Sequence, residues 1–473
     1  MDEVKLYCWN DCEATLKLYH ETKEKISLRK QLSKVYNLDL MNLSDSSIGE
    51  QIFIKYILEA KKIDFKELKA LVRKPETFNF NLGDLIPSYV KFKSDEFNSV
   101  VDFFKQSNVD NGILKNVFNY TVNYKGLDYD YGAGGLHGTK KGIWEEDEEY
   151  CLVDIDASAY YPKLAIGNKL YPEHIGKIFC DIYEEMYDTR TKAKKQCKID
   201  PNDEFAKAMN AGIKLASNSC YGKGNSIYSV LYSPTYVAST TVLGQLCLSM
   251  LAEQLSSFSE VFYVNTDGLT VKIKKSLLEH MYDVCSKWET VTKHELEYVK
   301  FKKMIIRDVN NFIALDEYGN TKYKGAYEID KRVGKELAIW KNNSYRILPI
   351  ATSEYLLNNI PIEQTIKNHN DIYDFCAMGK AKRGWSIYQG DIKHPNINRY
   401  YITTNETKDT LIKVNNEDGR IISLEAHPKN KKEGKVYHCE VINKFVDRKE
   451  YYIDYDYYIE NTQKLIDAIY EIS

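Results

Sequence analysis

Two short apolar runs in the middle of the chain have the pattern of β-strands, and each leads to a carboxylate. The first run, within residues 151–162, leads to Asp156, and the second, within residues 261–271, leads to Asp267. A Gly or Pro follows each acid within a few residues, which is typical of a strand that exposes its last side chains at a sheet edge. The pattern therefore predicts two strands that each present a carboxylate.

The segment between the two runs begins with the pattern of a helix. Residues 181–198 are acidic in the first turns and basic in the last turns, which suits a helix macrodipole. Pro201 and its polar neighbours end this helix before a second one starts. Arg190 and Lys194 are spaced i and i+4, so they fall on one face of the first helix.

The second predicted helix carries a cation, an amide and a phenol on one face. Lys214, Asn218 and Tyr221 lie four and three residues apart, and Lys207 falls on the same stripe one heptad earlier. Such a face suits a nucleotide, because lysines can hold a polyphosphate and an aromatic ring can meet a base. The alternative is that these polar residues only solvate an exposed helix face.

The two ends of the chain are predicted to differ from this central part. Residues 1 to about 75 have a helical pattern, and Ser47 and Glu50 are spaced as a capping box in front of an apolar helix. Residues 310–325 have the pattern of a hairpin with a turn at 316–320. From about residue 340 the pattern is helical and then strand-rich.

Composition narrows the class of protein without identifying it. The 473 residues include 65 basic and 68 acidic side chains, and the net charge of −3 argues against a generally basic nucleic-acid binder. A local cationic groove is still compatible, since basic clusters occur at 300–307, 322–324 and 429–435. The ten cysteines are scattered without Cys-x-x-Cys pairs, which favours reduced thiols over disulfides or zinc. No run of about 18 uninterrupted apolar residues occurs, so we expect no membrane partner and a cytoplasmic location.

Two carboxylates from separate strands, with a basic helix between them in sequence, suit a two-metal phosphoryl-transfer site. A pair of Mg²⁺ ions requires hard, anionic oxygen ligands. One ion lowers the pKa of an attacking hydroxyl and the other neutralises leaving phosphate oxygens. Asp154 lies two residues before Asp156 on the same strand face, and it is either an accessory acid or a solvated strand residue.

These three segments together resemble the motifs of the family B DNA polymerases, especially the compact phage and mobile-element kind. The first has Asp156 five residues before Tyr161-Pro162, which is similar to the family's Asp-x-x-Ser-Leu-Tyr-Pro. Residues 214–222 match Lys-x-x-x-Asn-Ser-x-Tyr-Gly at every fixed position. The third segment resembles Tyr-x-Asp-Thr-Asp-Ser, and its second acid, Asp267, is the one that the resemblance makes essential.

The chain departs from the family pattern at four positions. Asn265 replaces the first acid of the third motif and Gly268 replaces its serine. Ala159 and Tyr160 replace the Ser-Leu of the first motif. Asn265 keeps the shape and hydrogen bonding of an aspartate but removes one negative charge, so metal affinity or preference could be altered.

The resemblance implies a role for each motif residue. Asp156 and Asp267 would be the catalytic carboxylates and would hold two Mg²⁺ ions, with Mn²⁺ as a substitute. Tyr161 would lie under the sugar and exclude a 2′-hydroxyl, whereas the alternative is an ordinary buried tyrosine. The implied nucleotide-binding residues are Tyr161, Arg190, Lys194, Lys214, Asn218 and Tyr221.

Two further segments are candidates for DNA contacts. Gly134 and Gly135 belong to a glycine-rich stretch that resembles the family's template-contacting Tyr-x-Gly-Gly, although one extra residue separates them from Tyr131. A plain turn is the alternative. Phe312 stands where the family's Lys-x-Tyr motif has its tyrosine, so Lys322 and Lys324 remain as candidates for duplex contacts.

The N-terminal region resembles the tail of a proofreading exonuclease domain. Tyr7 and Asp11 match the family's last exonuclease motif, Tyr-x-x-x-Asp, but the other carboxylates of such a site would lie upstream. We therefore expect no 3′–5′ exonuclease activity from this chain. A truncated domain would expose apolar surface, so a separate exonuclease polypeptide could dock there; a degraded gene or a shortened chain are the alternatives.

The combined prediction is an α+β, right-hand polymerase with an antiparallel palm sheet, helical fingers, a thumb and a helical remnant of an exonuclease domain. The predicted domains are 1–75 (exonuclease remnant), 76–180 (connecting segment and first part of the palm), 181–235 (fingers), 236–338 (second part of the palm) and 339–473 (thumb). Its partners would be primer-template DNA and dNTPs, in a host cytoplasm if the source is a phage. The alternative is a non-catalytic, polymerase-like nucleic-acid-binding or scaffolding subunit.

Overall fold

The chain folds into two compact units of mixed helix and antiparallel sheet. The computed structural model describes residues 2–115, 117–329, 344–424, 437–443 and 451–470. The first unit comprises Met1–Lys140 and Glu145–Lys302, and the second comprises Lys141–Trp144 and Lys303–Ser473. The basic cluster at 429–435 lies outside the described residues.

The helices of the described residues are numbered in chain order. They are α1 (Asp2–Tyr36), α2 (Asp45–Lys61), α3 (Phe65–Ala70), α4 (Asp95–Gln106), α5 (Tyr160–Asn168), α6 (Ile178–Ile199), α7 (Glu204–Gly224), α8 (Pro234–Leu255), α9 (Leu278–Thr292), α10 (Ile347–Asn358), α11 (Ile362–Lys367) and α12 (Tyr455–Tyr470). The predicted helix pair is confirmed as α6 and α7, and the connection between them runs through Pro201.

The strands are numbered in the same way. They are β1 (Phe80–Asn81), β2 (Asn108–Val109), β3 (Asn119–Tyr124), β4 (Leu127–Gly132), β5 (Gly135–Thr139), β6 (Gly142–Glu145), β7 (Tyr150–Ala157), β8 (Glu260–Asn265), β9 (Gly268–Lys274), β10 (Leu296–Asp308), β11 (Asn311–Asp316), β12 (Thr321–Lys324), β13 (Ala377–Lys380), β14 (Trp385–Gln389), β15 (Ile392–His394), β16 (Ile397–Ile402), β17 (Leu411–Asn415), β18 (Ile421–Ser423) and β19 (Cys439–Val441). The predicted hairpin at 310–325 is confirmed as β11 and β12.

The first unit contains a small two-stranded sheet, β1 with β2, and one large antiparallel sheet. In the first unit the strand order of the large sheet is β10-β7-β9-β8-β5-β4-β3, and β10 continues along the chain into the second unit. Strands β7 and β9 pair from Tyr150 opposite Lys274 to Asp156 opposite Gly268. Because β7 also pairs with β10, it is hydrogen-bonded on both sides, and its side chains from Cys151 to Val153 are buried.

Helix α8 is the central helix of the first unit. Pro234 stands at its first position and the Ser233 hydroxyl accepts from the Tyr236 amide, so the start of the helix is well defined. Nearly all of its residues are buried and most of them are apolar, as in a helix that is enclosed on every side. It is the one helix of the described chain that is long and apolar enough to cross a membrane, and 94% of that stretch is buried inside the protein.

The predicted capping box of the second helix is wrong. Helix α2 begins three residues earlier than expected, and its N-cap is Ser44, whose side chain accepts from the Ser47 amide. Glu50 is instead buried inside the fold, where it pairs with Lys223 at 2.7 Å and accepts from the Ser229 hydroxyl. The tertiary partner therefore determines the role of this glutamate, and its spacing from Ser47 does not.

The first part of helix α1 projects apolar side chains into solvent. Tyr7 is 67% exposed and Trp9 is 64% exposed. Near the other end of the helix, Leu32 and Tyr36 are buried, and both lie against Gly212 of α7. The helix is therefore packed through its last turns only, and the exposed apolar surface expected of this region is present.

The second unit has its own core and its own antiparallel sheets. One sheet has the strand order β13-β16-β19 and another has the order β15-β14-β17-β18. Aromatic side chains from different elements meet in the core, with the Phe375 and Tyr458 ring centroids 5.1 Å apart. The Tyr458 hydroxyl donates to the Phe375 carbonyl, so this buried phenol is satisfied.

Candidate active site

The two predicted catalytic acids lie on adjacent segments of one sheet. Asp156 is the last residue but one of β7, and Asp267 immediately precedes β9, the strand next to it. The Ala157 amide donates to the Asp267 carbonyl at 2.8 Å, which ties the two segments together directly beside both acids. The regular antiparallel register thus brings together two side chains that are 111 positions apart in sequence.

Asp267 lies in a two-residue turn that joins β8 to β9. The first residue of the turn, Thr266, has a φ of 54°, which is the left-handed region that a β-branched residue rarely adopts. Its amide donates to the Leu136 carbonyl at 2.8 Å. Its hydroxyl lies 3.2 Å from Nε2 of His137, and the tautomer of the histidine decides which group donates.

Gly268 accounts for one departure from the family pattern. It lies directly opposite Asp156 in the β7–β9 register. A Cβ added to Gly268 would overlap Oδ1 of Asp156 and would lie 2.9 Å from the Ile155 carbonyl. In this chain, therefore, the Asp156 carboxylate occupies the space that a serine side chain would need.

A cleft of about 410 Å³ contains both acids and both cations predicted on α6. It is lined by Asp156, Ala157, Ser158, Ala159, Tyr187, Arg190, Thr191, Lys194, Asp267, Glu295 and Glu297. Four predicted site residues, Asp156, Asp267, Arg190 and Lys194, are thus brought together in one cavity. The charge is divided, with the carboxylates on the sheet and the cations on the helix.

Two glutamates of the cleft were not predicted from the sequence. Glu297 lies opposite Asp156 in the β10–β7 register, so the two carboxylates are on the same face of the sheet. Glu295 precedes β10 and pairs with Lys163 at 2.7 Å. Two acids spaced i and i+2 at the start of a strand were a detectable signal, but the sequence does not show which strand pairs with β10.

The donor set of the cleft fits a hard divalent cation. Asp156 and Asp267 supply anionic oxygens, which Mg²⁺ and Mn²⁺ accept. Among the residues that the structure describes, no group of three or more His, Cys, Asp or Glu side chains is arranged to hold a metal ion. A cation bound by the two aspartates would therefore complete its coordination with oxygens of water or substrate.

Asp154 accepts a hydrogen bond from the Thr270 hydroxyl at 2.6 Å, on the neighbouring strand. Thr270 is fully buried. Asp154 is absent from the lining of the described cleft, although it lies only two residues before Asp156. It is thus a polar partner within the sheet, which neither sequence-based alternative anticipated.

Tyr161 and Tyr221 form a stacked pair beside the acids. Their ring centroids are 4.2 Å apart and their planes differ by 14°. Burial raises the pKa of Tyr161, and the Tyr221 phenol and the Asp267 carboxylate raise it further. The Tyr221 hydroxyl shares a 2.7 Å hydrogen bond with Thr241 of α8, so the core helix orients this pair.

Neither tyrosine is among the residues that line the cleft, and the remaining predicted residues of α7 also lie outside its lining. Lys214 and Asn218 are exposed on one face of the helix, as their spacing predicts. Lys207, on the same stripe, pairs with Glu204 at 2.9 Å, and the other oxygen of Glu204 accepts from Gln31 of α1. Lys207 thus takes part in a local ion pair.

The candidate DNA-contacting residues fall into three different environments. Gly134 is exposed, whereas its neighbour Gly135 is buried. Lys322 and Lys324 belong to the second unit, where their ammonium groups lie 5.7 and 5.6 Å from the ring centroid of Phe312. The two glycines are therefore not equivalent, even though they are adjacent in the same motif.

Two buried basic residues lie beside the cleft, and no pattern in the sequence indicates their positions. Lys163 is 9% exposed, and besides Glu295 it contacts the ring of Tyr187 on α6, with Nζ 5.1 Å from the ring centroid. His294 is 3% exposed, and its Nδ1 and Nε2 atoms face the carbonyls of Thr292 and Tyr160. Burial lowers the pKa of His294.

The chain matches no protein-family model and no curated protein. Among solved structures, it is similar to the family B DNA polymerase from the hyperthermophilic archaeon Pyrobaculum calidifontis, with a TM-score of 0.48 and 14% sequence identity. The similarity covers 98% of this chain and 56% of that polymerase. The chain therefore spans about half the length of the polymerase that it resembles.

Proposed function

We propose that the protein is a template-directed DNA polymerase in which a primer 3′-hydroxyl attacks the α-phosphate of a dNTP. The observation that supports this most strongly is the cleft in which Asp156 and Asp267 face Arg190 and Lys194. Carboxylates on one wall can hold divalent cations, and cations on the other wall can hold a triphosphate. Phosphoryl transfer needs this division of charge, because alignment and charge stabilisation supply most of the rate.

In this proposal the aspartates are the metal ligands. Two bound Mg²⁺ ions would lower the pKa of the attacking hydroxyl and neutralise the leaving oxygens. Asp156 and Asp267 would fix the position of the α-phosphate relative to the sheet. Arg190 and Lys194 would bind the β- and γ-phosphates and stabilise the departing pyrophosphate.

The stacked tyrosines would form the floor of the nucleotide site. Tyr161 would lie against the sugar, and its stacking on Tyr221 would keep the ring rigid. Lys214 and Asn218 would approach the nucleotide from the exposed face of α7. The helices α6 and α7 would then be the fingers of a right-hand polymerase, the sheet of the first unit its palm, and the second unit would include its thumb.

DNA and a further polypeptide are the proposed partners. Gly134, Lys322 and Lys324 are the proposed DNA contacts, since the glycine is exposed and the lysines lie on a hairpin. The exposed apolar side chains of α1, such as Tyr7 and Trp9, are proposed as the surface for a separate exonuclease polypeptide.

The direct test is primer extension on primed single-stranded DNA with dNTPs and Mg²⁺, and then with Mn²⁺. We expect Asp156→Asn and Asp267→Asn each to reduce the rate by about a thousandfold, because several kcal/mol of metal-dependent charge stabilisation is lost. Both variants are expected to bind primer-template DNA. Asp154→Asn is the matched control, since it makes the same change on the same strand but outside the cleft.

Retained extension in both cleft variants would contradict the assignment of the acids. No extension by the unaltered chain with either metal, despite binding of primed DNA, would instead favour a non-catalytic subunit with a polymerase shape.

A further inference from the structure

The glycine-rich segment forms a hairpin beside the turn that carries Asp267. Strands β4 and β5 pair antiparallel, with Gly132 opposite Gly135 at the closed end. Strand β5 also pairs with β8, and this register places His137 opposite Asn265. The segment is therefore part of the sheet, and its second strand, β5, lies directly beside the turn that follows β8.

Three consecutive residues of β5 contact Thr266, the residue before Asp267. The Leu136 carbonyl accepts from the Thr266 amide at 2.8 Å, and His137 Nε2 lies 3.2 Å from the Thr266 hydroxyl. Gly135 has a φ of +125°, and a Cβ added to it would lie 3.1 Å from Cγ2 of Thr266. The close approach of the two segments thus requires a glycine at this position.

The other strand of the hairpin is fixed to the core helix. Gln245 of α8 donates from Nε2 to the Gly132 carbonyl at 2.5 Å. The Tyr131 hydroxyl shares a 2.5 Å hydrogen bond with Ser249 of the same helix. Tyr131, Gln245 and Ser249 are all at most 2% exposed. The hairpin therefore connects a rigid core element to the turn.

The conformation of the turn needs such support. Thr266 is β-branched, and its left-handed backbone is unfavourable for that residue type. A sparsely populated conformation persists where the surrounding structure over-determines it. Here the surrounding contacts come from Gly135, Leu136 and His137, which are 129 or more positions away in sequence.

We propose that residues 135–137 are a positioning element that holds the Thr266–Asp267 turn and thereby orients the Asp267 carboxylate, with His137 as its polar side chain. The proposal rests on the proposed function in one respect, namely that Asp267 is a metal ligand. The two glycines of the motif then have different proposed roles. Gly134 is exposed and can contact DNA, whereas Gly135 is buried against Thr266.

The first test compares His137→Ala with His137→Gln. A glutamine amide can occupy the position of Nε2 and can donate or accept, so it should restore the hydrogen bond to Thr266. We expect His137→Ala to reduce the maximal extension rate roughly tenfold, with the KM for dNTP little changed, because only the orientation of a ligand is disturbed. His137→Gln should recover most of that loss. His438→Ala, which removes another hydrogen-bonded histidine in the second unit, is the control.

The second test uses the backbone requirement at position 135. Gly135→Ala should weaken Mn²⁺ binding by the metal-free protein roughly tenfold, because the added methyl group presses on Thr266. Gly384→Ala is the matched control, since Gly384 also has a positive φ, of +86°, but an added Cβ there meets no atom within 4 Å. Equal Mn²⁺ affinity in the Gly135 variant and the control would overturn the proposal.

A third readout does not depend on polymerase activity. Amide hydrogen exchange of the peptide that contains Thr266 reports directly on its bond to Leu136. We expect faster exchange in His137→Ala and in Thr266→Val, which removes the hydroxyl but keeps the side-chain shape, and no further increase in the double variant. If the protein fails to extend primers but shows this pattern, the positioning element stands and the polymerase assignment fails. Unchanged exchange in both single variants would overturn the positioning element itself.

Discussion

Asp156 and Asp267 reach the same cleft by different structural means. Asp156 is part of a strand that is paired on both sides, by β9 and by β10. Asp267 lies in a tight turn whose first residue has an unfavourable backbone conformation. The first acid is therefore positioned by regular sheet geometry, and the second depends on contacts from a hairpin elsewhere in the chain.

A histidine contacts the chain just after Asp156, and another contacts the residue just before Asp267; the two histidines differ in burial. His294 is buried and lies against the Tyr160 carbonyl, just after the Asp156 segment. His137 is partly exposed and lies against the Thr266 side chain. The Asp156 side is therefore supported by a buried histidine, whereas the Asp267 side is supported by a partly exposed histidine on β5, a strand paired with both β4 and β8. Substitutions near Asp156 and substitutions near Asp267 should consequently differ in their effects on the extension rate and on the free energy of unfolding.

Among substitutions of residues that support the two acids, Gly268→Ala should produce the largest effect, because it disturbs the position that the sheet gives to Asp156. The added Cβ would overlap Oδ1 of Asp156 and displace the carboxylate. A misplacement of about 1 Å in a reacting group costs on the order of a hundredfold in rate, so we expect primer extension to fall by about that factor. Steady-state extension kinetics would measure the change.

The matched control for this substitution is Gly167→Ala. The nearest atoms to a Cβ at Gly167 would belong to the Lys293 side chain and the Thr292 carbonyl, at 3.4 Å or more. Wild-type rates in both variants would show that the Asp156 carboxylate can move without loss, which would remove the contrast between the two acids.

The pH dependence of stability should reveal the interior support of the Asp156 side. Burial lowers the pKa of His294 below the unfolded value of about 6.5. As the pH falls through 6.5, the unfolded chain therefore takes up a proton that the folded chain does not, and stability is lost. We expect His294 to contribute a loss of up to about 1.4 kcal/mol in the free energy of unfolding per pH unit below 6.5.

Urea unfolding of wild-type and His294→Gln protein between pH 7.5 and 5.5 would measure that contribution. The variant should show a shallower decline than the wild type. His280→Gln, a change at an exposed histidine, serves as the control. An identical decline in wild type and His294→Gln would show that the buried ring does not remain neutral when the chain is folded.

The smallest expected effect concerns the charge around Asp156. Glu297 lies directly opposite Asp156, and like charges in such a pair are destabilising. Glu297→Gln should therefore stabilise the metal-free protein by about 0.2–1 kcal/mol at low salt, and less at high salt, where the exposed charges are screened. Thermal unfolding at two salt concentrations would measure this, with the exposed Glu317→Gln as control. Destabilisation by Glu297→Gln would indicate that the glutamate has a structural partner in the fold.

The strand that carries Asp156 and the helix that faces it could be predicted from the sequence, because the local pattern of apolar and charged residues determines both elements. The apolar run from Cys151 to Ile155 predicts a strand, and the strand ends just after the acid. The charge gradient of residues 181–198 predicts α6, and the spacing of Arg190 and Lys194 predicts that they share a face. These features depend on periods of two and 3.6 residues, which the sequence displays directly.

The support of Asp267 could not be predicted, because it depends on strand order. The glycine-rich segment has the composition of a phosphate-binding loop, and nothing in its local pattern indicates that β5 pairs with β8. Glu297 was missed for the same reason, since its pairing with Asp156 is a matter of register. The capping box at Ser47 failed because a distant lysine, Lys223, competes for Glu50. Local spacing contains no information about these partners.

The position of α8 in the chain has a consequence while the protein is being synthesised. Nearly all residues of the helix are buried and most are apolar, and several of its packing partners, among them β8, β9 and α9, follow it in the chain. During synthesis it therefore emerges from the ribosome before those partners exist, at the moment when its apolar surface is largest. Until those partners are synthesised, the faces of α8 that they will cover remain exposed, although α8 is almost fully buried once folding is complete.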